Sequence, residues 1–176
     1  MVRKHLKRTY APKMWPVERK AVGKWITRPN PGTHTFETSI SVNSLLKEVM
    51  NVTLTTKESK TVLNDNKFKV NGKLIKEEKF PVGTMDIIEL DGHKQIMLLD
   101  HNGRILLKDT SLEIKPLKIL NKSLIKGKKV QLNFYDGTNL IVDKDNYKTG
   151  DSVFIKDKKI TKTLKFEKGA TIFLTA

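Results

Sequence analysis

The dipeptide Asn71-Gly72 constrains the fold of this chain more than any other pair of residues in it. Both residues accept a positive φ, as a two-residue hairpin turn demands, so the segments on either side must be antiparallel neighbours. Before the turn, Phe68 and Val70 alternate with Lys67 and Lys69, which gives a strand with one apolar and one charged face. After it, Lys73 to Ile75 returns, Pro81-Val82-Gly83 reads as a further turn, and Met85 to Leu90 reads as another apolar strand. Upstream, Thr55-x-x-Glu58 has the form of a capping box, whose hydroxyl and carboxylate satisfy the orphan amides of a new helix. That helix buries Val62 and Leu63 and ends near Asn66, a residue type that tolerates the left-handed exit from a helix. A second helix is predicted over Ser41 to Met50, because Val42, Leu45, Leu46 and Val49 recur at i, i+3, i+4 and i+7.

Residues 37–90 carry eight basic and eight acidic side chains, so any electrostatic role here depends on placement. Lys57 and Lys60 fall on the helix after the capping box; Lys67, Lys69 and Lys73 lie near the hairpin. On a shared face they form a phosphate-binding patch; otherwise they are solvated surface, the usual fate of lysine. Two small helices on a small sheet around the "KVNGK" hairpin resemble the alpha-L RNA-binding motif. An ordinary small α+β domain that uses Asn-Gly only as a turn is the competing reading.

Ahead of this domain, residues 1–36 hold nine basic side chains (Arg3, Lys4, Lys7, Arg8, Lys13, Arg19, Lys20, Lys24 and Arg28) against the single acid Glu18. Prolines at 12, 16, 29 and 31 forbid a long helix, and apolar residues are too sparse for a separate core. The segment is therefore predicted to be an extended basic arm that orders on its partner. Trp15 and Trp25 either stack on bases with arginines on the phosphates, or pin the arm to its own globular domain. His5 is a further candidate contact.

Residues 91–176 carry 17 basic and ten acidic residues in short apolar runs separated by turn signals such as Asn102-Gly103, Asp136-Gly137 and Gly150-Asp151. Strands are predicted over 95–99, 104–107, 129–134, 139–142, 152–155, 159–163 and 171–174, with a short helix over Leu117 to Leu124. Strands so spaced suggest a small antiparallel barrel or a strongly bent sheet.

The net charge of +15 predicts a polyanionic partner and salt-sensitive binding. No apolar run approaches the ~20 residues that a membrane span needs. The absence of cysteine removes disulfides and thiolate metal sites and fits a reducing compartment. Chemistry finds no foothold. The Gly-Lys pairs lack the rest of a phosphate loop, the four histidines never stand at i, i+4, and Asp143-x-Asp145 lacks the glycine and closing glutamate of a calcium loop. No catalytic residue, metal site, cofactor or small-molecule substrate is expected.

Several stretches together resemble the small-subunit ribosomal protein S4e family of archaea and eukaryotes, its archaeal branch in particular. They are "KHLKR" (4–8), "APKMWP" (11–16), "RPNPGTH" (28–34), "VNGK" (70–73), "FPVGTMDII" (80–88), "KGKKVQLN" (126–133), "YKTGDS" (147–152) and "KFEKGA" (165–170). The family usually has Gly where this chain has Asn66, and it continues past the position of Ala176 into a Gly-rich KOW segment that this sequence lacks. No contact of that segment is carried over. The resemblance implies an α+β protein in three parts: a basic arm (1–36), an alpha-L domain (37–90) and a β-rich, barrel-like domain (91–176). It implies a structural constituent of the small ribosomal subunit, in cytoplasmic ribosomes, contacting ribosomal RNA and neighbouring ribosomal proteins. The RNA contacts would be the arm residues Arg3, Lys4, His5, Lys7, Arg8, Lys13, Trp15, Arg19, Lys20, Lys24 and Arg28, with Lys57, Lys60, Lys67, Lys69, Asn71 and Lys73 of the second part. A free RNA-binding regulator or chaperone is the alternative, followed by an RNA-modifying enzyme, for which the last 86 residues show no catalytic cluster.

Overall fold

Left-handed residues and short amphipathic segments shape the first half of the chain, and alternating strands shape the second. The computed structural model describes residues 5–20, 23–112, 114–127, 129–143, 146–156 and 159–172. It is an α+β protein, rich in strands, that divides between Leu112 and Ile114 into two compact units.

In the first unit the N-terminal segment folds back on itself. Strand β1 (Leu6–Lys7) pairs antiparallel with β2 (Trp25–Ile26), and the Arg8 amide donates to Lys24 O at 3.0 Å. Leu6, Ala11, Trp15 and Ile26 enter the core of the unit. This corrects the expectation of an extended arm that orders on its partner. Four side chains suffice because the ladder and the prolines fold the segment onto an existing core. Backbone bonds then hold it, from Asn30 N–H to Lys79 O and from Ile105 N–H to Met14 O, both 2.8 Å.

Strand β3 (Ser39–Ser41) runs into α1 (Val42–Ser44), where the Ser41 hydroxyl accepts the Ser44 amide as an N-cap. The helix then widens into a π turn over Leu45–Val49, with Met50 N–H reaching Leu45 O at 2.9 Å. Val42, Leu45 and Leu46 are fully buried, as their spacing predicts. Helix α2 (Thr56–Asn64) starts on the predicted capping box, and Glu58 also receives the Leu54 amide at 2.8 Å. Asn66 leaves the helix with φ +57°. Strands β4 (Phe68–Val70) and β5 (Lys73–Leu74) flank Asn71 and Gly72, at φ +51° and +77°.

Pro81-Val82-Gly83 is not the turn that its composition suggests. It is β6 (Pro81–Gly83), paired with β3 so that Ser39 faces Gly83 and Ser41 faces Pro81. Proline is tolerated as the first residue of a strand in so short a ladder. The turn comes next, at Thr84-Met85, with Met85 at φ +69° and Asp86 N–H bonded to Gly83 O at 3.2 Å. Strand β7 (Ile87–Leu90), a tight turn at Asp91-Gly92, β8 (His93–Leu99) and β9 (Ile105–Asp109) complete a five-stranded antiparallel sheet of order β5-β4-β7-β8-β9. A division after Leu90 would fall on a hairpin inside this sheet.

The second unit is a five-stranded antiparallel sheet. Its strands are β10 (Pro116–Ile125), β11 (Lys129–Phe134), β12 (Asn139–Val142), β13 (Ser152–Lys156) and β14 (Lys159–Leu164), in the order β12-β11-β10-β13-β14. The helix expected over Leu117 to Leu124 is therefore a strand. The helical spacing of Leu117, Leu120 and Leu124 misleads, because Leu120 and Leu124 are exposed while Leu117 and Ile119 alternate into the core. The start of β10 pairs with β13 and the remainder with β11, and the register shifts between Ile119 and Asn121. Such an irregularity bends a strand. Among the described residues the outer strands β12 and β14 do not pair with each other, so the sheet is bent and open. Thr171 and Ile172 are not in a strand; Phe173 and Leu174 lie outside the described residues.

Beneath the turn at Asp136-Gly137, the Lys115 ammonium meets the Asp136 carboxylate at 3.1 Å, with both side chains less than a tenth exposed. Burial works against the charge on Asp136, but Lys115 and the Thr138 amide and hydroxyl outweigh it and hold the carboxyl below its ordinary value. A folded value below the unfolded one gives stability that is full above about pH 4 and is lost as pH falls through the lower folded value. Amide signals of β11 are expected to disappear at higher urea near pH 5 than near pH 2. Asp136→Asn should flatten that dependence; an unchanged acid limb would contradict it.

Candidate nucleic-acid interface

The residues singled out from the sequence fall into two groups. In the first, the cations are exposed: Lys7 on the outward side of β1, Lys13 and Lys20 on the loops after it, and Lys57, Lys67 and Lys73 further on. Among the described residues these ammonium groups make no salt bridge. Arg3 and Lys4 lie outside the described residues. His5 and Lys24 are exposed and gather around Trp25, His5 with its ring centroid 5.7 Å away and Lys24 Nζ at 5.4 Å. The half-buried Arg28 guanidinium lies over the Phe36 ring at 4.9 Å.

The second group is committed to the fold. Arg8 is 4% exposed, holds Glu48 with both terminal nitrogens at 2.6 and 3.1 Å, and also donates to Glu18 O. Arg19 donates to Ala11 O at 2.7 Å and Pro12 O at 3.0 Å, closing its own loop. Lys60 stands 3.5 Å from Glu78, and Lys69 pairs with Glu89 at 2.8 Å. Asn71 spends its amide inside the unit, donating to Asp86 Oδ1 at 2.9 Å and accepting Ile87 N–H at 3.0 Å.

Trp15 requires a correction. It is 2% exposed, its indole N–H donates to Ser39 O at 2.8 Å, and its ring tilts against Phe36. A side chain so enclosed has no face to offer a base, and of the two readings of Trp15 the pin to the globular domain is the one that fits. Trp25, by contrast, is 54% exposed. The sequence carried a signal for this: on a two-residue strand Ile26 takes the core side, so its neighbour must point out.

The hairpin lysines do not share one face. Lys69 stands opposite Leu74 and Glu89, whereas Lys73 stands opposite Val70, whose side chain is buried. Residues directly opposite in a ladder point to the same side, so Lys69 and Lys73 leave by opposite faces. Lys67 and Lys73 around the turn and Lys57 on α2 are exposed and make no salt bridge among the described residues. Among the described residues no group of His, Asp and Glu is placed to hold a metal ion, and no helix is long and apolar enough to cross a membrane.

This is a two-unit α+β protein with many exposed cations on its N-terminal unit. Two family models match it: the RS4NT (NUC023) domain over residues 2–37 and the ribosomal family S4e over residues 92–160. The small ribosomal subunit protein eS4 of Methanosphaera stadtmanae is 40% identical over 98% of this chain and 74% of its own length. Its counterpart in Archaeoglobus fulgidus is 36% identical over 99% and 75%. The crystal structure of the 30S ribosomal protein S4e from Thermoplasma acidophilum superposes with a TM-score of 0.69 at 29% identity, covering 79% of this chain and 75% of that one. The chain belongs to the ribosomal S4e family, a family of structural proteins and not of enzymes.

Proposed function

We propose that this chain is a structural constituent of the small ribosomal subunit, in cytoplasmic ribosomes, and binds ribosomal RNA through the exposed cations of its first unit. The observation that carries this reading is the set of unpaired surface lysines (Lys7, Lys13, Lys20, Lys57, Lys67 and Lys73) on a chain whose relatives are named for the small subunit. Exposed ammonium groups without carboxylate partners are free to displace counterions from phosphates. The N-terminal segment (1–36) is one contact region. Helices α1 and α2 with the hairpin sheet (37–90) are read as an alpha-L module, and residues 91–176 as a second basic part facing RNA or a neighbouring ribosomal protein. Shape, more than sequence, is what lysines on such a module read.

The test is co-sedimentation with small subunits, together with binding to small-subunit ribosomal RNA across a salt series. Changing Lys57, Lys67 and Lys73 together to Ala is expected to lower the slope of log K against log salt by about 2 to 3. Lys69→Ala should leave the slope nearly unchanged, since Glu89 already neutralises that ammonium. Failure to sediment with small subunits, or crosslinks spread over messenger and transfer RNA, would overturn the ribosomal reading.

A further inference from the structure

The outward face of the β1–β2 ladder brings an indole, an imidazole and two ammonium groups together. Lys7 stands directly opposite Trp25 in the register, and residues so paired point to the same side of the ladder. The Arg8 amide bonds Lys24 O at 3.0 Å, and bonded and open pairs alternate along an antiparallel ladder. Lys7 and Trp25 are therefore an open pair, the kind whose side chains stand closest. Leu6 and Ile26, the next pair along, turn into the core and so hold Lys7 and Trp25 outside. His5 joins them from a diagonal position, its ring centroid 5.7 Å from that of the indole and its plane tilted by 55°. Lys24 Nζ lies 5.4 Å from the indole centroid.

Trp25 is 54% exposed, and the two side chains that its ring meets, His5 and Lys24, are exposed themselves. The tilt keeps His5 from lying flat on the indole, and a solvated lysine side chain moves aside easily, so a planar group can reach the ring. Lys7 and Lys24 make no salt bridge among the described residues, which leaves their charge for an anion. A flat aromatic face beside ammonium groups matches a nucleotide strand, with a base on the indole and the adjoining phosphates on the lysines. In a duplex the faces of each base are covered by its stacked neighbours, so the base that lands here must be unpaired. An acidic protein loop would meet the two lysines and leave the indole in water. We infer that Trp25, framed by His5, Lys7 and Lys24, is a stacking platform for an unpaired nucleotide of the bound RNA. Every base has a π-face, so the platform selects unpaired over paired RNA and not one base over another. The inference rests on the RNA-binding reading above and adds to it the structural class of RNA that is bound.

Tryptophan fluorescence of the full chain tests this, because Trp15 is enclosed and Trp25 is the ring that a base can reach. The probes are an RNA dodecamer of mixed adenosine and cytidine and the same strand annealed to its complement. The single strand is expected to quench the exposed indole saturably, whereas the duplex should bind with little quenching. Trp25→Ala should weaken binding of the single strand about tenfold in filter binding, the size of one base–aromatic stack, and leave the duplex unchanged. Trp25→Phe keeps a stacking face and should recover most of that loss. Equal affinity of Trp25→Ala and the unaltered chain for the single strand, with ribosomal RNA still bound, overturns the platform alone. If that variant binds the strand normally yet fails to enter small subunits, the ring serves a protein neighbour, and the platform is again overturned. Absence of binding to both probes and to ribosomal RNA overturns both readings.

Discussion

Trp15→Ala is expected to destabilise the first unit by about 3–5 kcal/mol, the range for removing a fully buried aromatic side chain. The substitution empties the space beside Phe36 and leaves Ser39 O without the indole donor. The N-terminal segment then loses its largest anchor, while Leu6, Ala11 and Ile26 remain in the core. Urea unfolding followed by circular dichroism measures the effect. Trp25→Ala provides the contrast: an exposed ring should change stability by no more than about 0.5 kcal/mol. Equal losses for the two variants would show that burial does not separate the two tryptophans.

Gly83→Ala should be comparably severe, although it adds a single methyl group. A Cβ at this position would fall within the van der Waals surface of the His34 ring. The ring cannot step aside cheaply. His34 Nε2 lies 2.9 Å from Asp86 Oδ2, both side chains are almost fully enclosed, and that same oxygen accepts the Gly83 amide at 2.9 Å. The other Asp86 oxygen holds Asn71 across the hairpin. Displacing His34 breaks into a buried hydrogen-bond cluster that joins three chain segments, and leaving a buried polar group without its partner costs about 1–3 kcal/mol on top of the steric strain. His34→Ala makes room for the methyl group, so the double variant should lose less stability than the sum of its parts. Strict additivity would show that the ring and the glycine do not interact.

What the sequence disclosed follows from the range of the forces involved. The capping box at Thr55 and Glu58, the left-handed Asn66 and the Asn71-Gly72 turn are decided within four residues, and each stands where its chemistry requires. The errors came where distant partners decide. Pro81-Val82-Gly83 looks like a turn until β3 arrives from forty residues earlier to pair with it. Leu117, Leu120 and Leu124 have helical spacing, yet β11 and β13 claim the backbone between them. The strands predicted over 95–99 and 104–107 are present as β8 and β9, and the hairpin at Asp91-Gly92 carries them into the first sheet, a pairing that β7 decides. The site was legible as charge and not as geometry. Nothing local tells that Arg8 is tied to Glu48 while Lys7 beside it stays outside, whereas the parting of Lys69 and Lys73 to opposite faces is already contained in the two-residue turn, which pairs Val70 with Lys73.

The bond from Ile105 N–H to Met14 O sets a schedule for the growing chain. The N-terminal segment leaves the ribosome that makes it about ninety residues before its last partner, a wait of about 5–20 s at ordinary elongation rates. Trp15 meets Phe36 and Ser39 much earlier, so through that interval it is the loop around Met14 that waits for its backbone partner while the exposed cations beside it are already among nucleic acids in abundance.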